Sequence, residues 1–203
     1  MFAKIGRNTP ASSGTNPLRA NHLGGLIVEG GKSDITLAGK HYFGFCQSQN
    51  VALYTATAAI GWILYNPPTS GVNAVLHDWS VTVWATSATM TGMVLAVSAQ
   101  TAAPTTVTAA TLRGKTLLTG STGLATGACI CYSVGTIAVA PVIVWPLFHN
   151  TAAINVVGAE VISGDLAGAF AFAPGTVAII GALGAAGVTV DIGLTWEEVP
   201  TGL

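Results

Sequence analysis

Residues 188–197 read VTVDIGLTWE, and their pattern decides the fold. Val188, Val190, Ile192, Leu194 and Trp196 take alternate positions, with Thr189, Asp191, Gly193, Thr195 and Glu197 between them. Successive side chains of a strand point to opposite faces, so this period of two predicts a strand with one buried face. Residues 72–86 (VNAVLHDWSVTVWAT) repeat the habit: Trp79, Val81 and Val83 face one way, Ser80, Thr82 and Trp84 the other. Met93, Leu95 and Val97 are in phase along residues 91–99. No segment of a dozen residues gives a comparable helical period.

Outward from these strands, short strand signals alternate with turn residues. GLIVE and DITLA flank Gly30-Gly31, which predicts a hairpin. HYFGFC, NVALYT and GWILYN follow, and Asn66-Pro67-Pro68 marks a turn. Thr101–Gly114 reads as a loop, with a short helix conceivable only near Ala109–Arg113. Strands of about five to ten residues with Gly/Pro turns indicate a two-sheet sandwich. Their number, about ten, suits a jelly roll better than an immunoglobulin domain. The expectation is an all-β, jelly-roll-like two-sheet sandwich over residues 25–203, preceded by an extended basic N-terminal arm over residues 1–24. Trp62, Trp79, Trp145 and Trp196 are expected in the core or at an oligomer interface.

The chain has 203 residues, 51% hydrophobic and 7% charged, with a mean hydropathy of +0.62. Ordinary domains carry about 25% charge, and disorder needs the opposite balance. Residues 127–148 and 166–190 carry no charge and are long enough to span a bilayer. Pro141, Pro146 and Pro174-Gly175 interrupt them, and β-branched residues dominate, so both read as strands and no membrane partner is expected. The N-terminus, MFAKIGRNTPASSG, has no apolar run, so no signal peptide is expected.

The scarce charge is sorted. Lys4, Arg7, Arg19, Lys32 and Lys40 lie in the first 40 residues, and Glu160, Asp165, Asp191, Glu197 and Glu198 in the last third. From His41 to Leu112 the single formal charge is Asp78. Thr, Ser, Ala and Gly must therefore cover the surface, which predicts a body buried against copies of itself or other subunits. The plain alternative is a Thr-rich monomeric sandwich. A net charge of −1 gives no field to favour nucleic acid.

No enzyme signature emerges. His22, His41, His77 and His149 show no ligand spacing. His77 and Asp78 are strand neighbours and should point to opposite faces. Cys129 and Cys131 share a strand face but lack a second ligand pair, so they read as small hydrophobes and no metal is expected. Glu197 and Glu198 should diverge along a solvated terminal edge. GALGAAG (181–187) lacks the Lys of a phosphate loop, and no cofactor is expected.

Tyr42-Phe43-Gly44, Tyr65-Asn66-Pro67, FAFAPGTV (170–177) and DIGLTWEEVP (191–200) give the chain a texture that resembles small tailed-bacteriophage virion proteins. It is similar to capsid decoration (cement) proteins. The resemblance implies a non-enzymatic homotrimer on the outside of the capsid shell, bridging major capsid protein subunits and made in the host cytoplasm. Lys4, Arg7 and Arg19 would then be the capsid-binding residues of the arm. A competing expectation is a receptor- or glycan-binding protein of a phage tail or spike, using Tyr42, Trp84 or Tyr132. A third is a glycan-active enzyme, for which Asp78 with Glu160 or Asp165 is the open carboxylate pair.

Overall fold

The computed structural model describes residues 19–20, 26–27, 32–58, 61–86, 90–110, 112–117, 126–154, 160–184 and 188–202. Lys4 and Arg7 lie outside these residues, as does most of the segment read as an arm. Arg19 opens β1 (Arg19–Ala20), which pairs antiparallel with β2 (Leu26–Ile27).

DITLA is not a strand. It belongs to a short helix, α1 (Lys32–Leu37). The helix ends at Gly39, whose φ of 69° suits glycine. The Gly39 N–H donates to the Thr36 carbonyl at 2.9 Å and the Lys40 N–H to that of Ile35 at 3.1 Å, closing a Schellman cap.

Eleven strands follow: β3 (His41–Val51), β4 (Ile63–Asn66), β5 (Val72–Thr86), β6 (Met90–Ala99), β7 (Thr105–Ala109), β8 (Leu112–Thr116), β9 (Ile130–Thr136), β10 (Val142–Ile154), β11 (Glu160–Phe172), β12 (Thr176–Leu183) and β13 (Val188–Pro200). They form a five-stranded sheet in the order β11-β5-β13-β3-β8 and a six-stranded sheet in the order β10-β6-β12-β4-β9-β7. All ladders between these strands are antiparallel.

Set β7, β8 and β9 aside, and number the remaining strands one to eight along the chain. One sheet then reads 1-8-3-6 and the other 2-7-4-5, which is the jelly-roll order. β7–β9 are an insertion between β6 and β10. β8 extends one sheet beyond β3, while β9 and β7 extend the other beyond β4. β7 and the start of β8 lie in the segment read as loop or helix, whereas β9 lies in the 127–148 run read as strand. Thr105–Ala109 and Leu112–Thr116 are both edge strands, too short and polar to show a period of two.

The core lies between the sheets. β13 supplies Val190, Ile192, Leu194 and Trp196, all buried, in the alternation read from the sequence. Trp62, Trp79, Leu76, Val81, Leu95 and Ile180 pack with them. Cys46, Cys129 and Cys131 are buried free thiols in this same cluster. The six-stranded sheet is covered on its other face too, where Tyr54, Ile63, Tyr65, Val177, Ile179 and Ile137 form a second cluster. NVALYT is thus not one strand: β3 ends at Val51, and the following chain crosses β12, with Tyr54 N–H bonded to the Ala182 carbonyl at 3.2 Å. The turn at Asn66 is pinned by its own amide, which donates to the Val72 and Phe172 carbonyls at 2.8 and 2.9 Å. Among the described residues no helix is long and apolar enough to cross a membrane.

Candidate functional site

The outer face of the five-stranded sheet carries Asp78 and Asp165, joined by Lys32 of α1. Strand register builds it in two rows. In one, Phe45 of β3 lies beside Gly193 of β13, which lies beside Ser80 of β5 and then Ser163 of β11. In the other, Phe43 lies beside Thr195, and Asp78 beside Asp165. Aromatic rings thus occupy the β3 side and polar groups the β5–β11 side. Together with Leu117 these residues line a groove of about 740 Å³.

A bulge puts Asp78 there. Leu194 pairs with Trp79 and Trp196 with Leu76, so His77 and Asp78 share one partner, Thr195. The expectation that His77 and Asp78 face opposite ways fails at this point, because the extra residue breaks the alternation. Thr195 Oγ1 holds the bulge: it accepts from the Asp78 N–H at 2.9 Å and donates to Asp78 Oδ2 at 3.1 Å.

Lys32 reaches over from α1. Its Nζ donates to Asp78 Oδ1 at 2.5 Å and to Asp165 Oδ2 at 2.8 Å. The two carboxylates raise the Lys32 pKa above 10.5, that of Asp165 first. Lys32 in turn, with the Ala167 N–H, lowers the Asp165 pKa below 3.8. A glycosidase general acid needs a raised pKa, so Asp165, held low by Lys32, is poised the wrong way for proton donation. Only the backbone of Glu160 is placed, opposite Val83.

Beside the groove, His41 and His77 stack edge to face, with centroids 5.3 Å apart. Both are buried, and among the described residues the Nε2 of each has no hydrogen-bond partner. His41 Nδ1 lies 2.9 Å from Thr36 Oγ1 of α1, and His77 Nε2 lies 3.8 Å from Glu197 Oε2. Burial first, then His77, lowers the His41 pKa below 6.5.

Glu198 corrects a second expectation. It does diverge from Glu197, but into the interior rather than along a solvated edge. It occupies the apolar phase of β13, where its carboxylate accepts from Ala128 N–H at 2.8 Å, Cys129 N–H at 2.9 Å and Trp196 Nε1 at 3.3 Å.

The four tryptophans separate. Trp62, Trp79 and Trp196 are core residues, whereas Trp145 is 48% exposed. It belongs to an apolar patch on β10 and β11, the two strands left at the edge opposite the insertion. Val142 is 69% exposed, and Ile143 and Val144 also face solvent. Val161 of β11 is exposed too, but it pairs with Thr82, six residues along β5 from Leu76, the partner of Phe170. The Trp145 ring leans on Phe170 at 5.6 Å. Tyr42, by contrast, stacks on Trp196 in the interior, and Tyr132 packs against the second cluster. The side chain of Trp84 is outside the described residues.

One signal for the groove was in the sequence: a lone Asp78 in a long uncharged stretch calls for a partner. The bulge that presents it had no such signal. Fold and faces define a jelly roll with a mixed groove on one sheet and an apolar patch along one edge. Comparison with protein-family models, curated proteins and solved structures finds no match to this chain.

Proposed function

We propose that the chain is a non-enzymatic structural virion protein, a homotrimeric decoration (cement) protein that binds the outside of a capsid shell and bridges its major capsid protein subunits. The observation that carries this reading is the run of exposed apolar side chains Val142, Ile143, Val144 and Trp145 on β10, the edge strand of its sheet. Exposed apolar side chains on a chain with 7% charge are suited to burial against a partner. Pro146 in β10 removes a strand donor, and β11 carries a register shift between Asp165 and Phe170. Both edges are therefore poor templates for strand addition, and the patch suits side-chain packing between subunits.

A jelly roll supplies rigid faces for such contacts, and repetition around a shell multiplies modest affinities. Lys4, Arg7 and Arg19 are assigned to capsid contact in this reading. Copy number in a purified particle tests it: about a hundred or more copies are expected for a lattice component, and about a dozen or fewer would place the chain in a tail device instead.

A further inference from the structure

We infer that the groove on the outer face of the five-stranded sheet binds a short neutral saccharide. The site is built from two kinds of surface that a sugar ring needs together. Phe43 and Phe45 offer apolar walls to its C–H face. Opposite them, Asp78 and Asp165 are 41% and 54% exposed at the side chain. Each carboxylate already has two partners, yet a carboxylate has about four lone-pair sites. The remaining ones face the groove as acceptors for hydroxyl groups.

The frame is fixed before any ligand arrives. Lys32 and Thr195 hold Asp78, while Lys32 and the Ala167 N–H hold Asp165, so ordering them adds little cost on binding. Gly193 keeps the floor open between the walls. A Cβ there would come within 2.8 Å of Ser80 Oγ and 3.9 Å of Phe45 Cδ2. A volume of about 740 Å³ is in the range of small-ligand sites.

Other occupants fit less well. The floor strands β5 and β13 are paired on both sides, so an extended peptide finds no free main-chain partners. A single cation meets carboxylates already bridged by Lys32.

The inference does not depend on the virion reading. Its test is an array of neutral oligosaccharides probed with the full-length chain, followed by calorimetric titration of the strongest binder. Binding is expected, with Phe45→Ala and Asp165→Asn each weakening it about tenfold and leaving the thermal melt unchanged. Gly193→Val should abolish it, with circular dichroism reporting whether the strand survives. A synthetic peptide of residues 1–18 is titrated in parallel. No oligosaccharide binding at millimolar concentration would overturn the inference. So would sugar binding indifferent to both Phe45→Ala and Asp165→Asn, or a groove that takes only the peptide.

Discussion

Glu198 sits where the β13 pattern calls for an apolar side chain, and three donors converge on it from Ala128, Cys129 and Trp196. It ties the chain entering β9 to the end of β13. Glu198→Gln would turn an amide donor toward N–H groups that need acceptors. The expected loss is about 2 kcal/mol, read from the urea midpoint. A change within about 0.5 kcal/mol would show that the carboxylate is not the tie. His41 makes a pH prediction. Its pKa is lowered in the folded chain, chiefly by burial and then by His77, against an opposing pull from Asp78. Well above 6.5 the ring is neutral in both states and costs nothing. As pH falls below 6.5 the unfolded chain takes the proton more readily, so stability declines until the folded pKa is passed. Denaturation at pH 7.5 and 5.5 should show that decline, and His41→Gln should reduce it. An unchanged pH dependence in the variant would remove His41 as the cause.

At the scale of elements, long strands with one buried face were legible, as was the short β4 within GWILYN, whereas α1 and the edge strands β7 and β8 were not. Val190–Trp196 and Trp79–Val83 appear in the structure as the alternation drew them. α1 was missed because Ile35 and Leu37 sit two apart and mimic a strand, although Leu37-Ala38-Gly39 carried a helix-stop signal. β7 and β8 were missed because edge strands need no apolar face. The bulge at His77-Asp78 was hidden for a different reason: it is a mismatch between β5 and β13, and neither strand shows it alone. Sheet spacing gives this scale its own prediction. Gly44 of β3 faces the other sheet, where an added Cβ would lie 2.8 Å from Cys131 Sγ and 3.3 Å from the Trp196 ring. Gly44→Ala should therefore cost about 1–3 kcal/mol by forcing the sheets apart. An unperturbed urea midpoint would mean that Cys131 can move aside.

For the whole molecule, the insertion of β7–β9 makes the sandwich lopsided. It widens both sheets on one side and leaves β10 and β11 at the other, where the apolar patch lies. The low charge of the sequence leads to the expectation of a surface covered by partners, and the strand order puts exposed apolar side chains on β10. Trp145 is the largest of them. Burying the half of its side chain now exposed removes about 100 Å² from water, worth about 2.5 kcal/mol per subunit. Trp145→Glu should accordingly disperse an assembly without unfolding its subunits. The mass of the full-length chain in solution by light scattering, alone and with Trp145→Glu, decides whether this edge holds copies together. A homotrimer gives about 61 kDa for the wild type, three times 20.4 kDa, and the variant is expected as a monomer. A wild-type mass of 20.4 kDa at concentrations well above micromolar would contradict it.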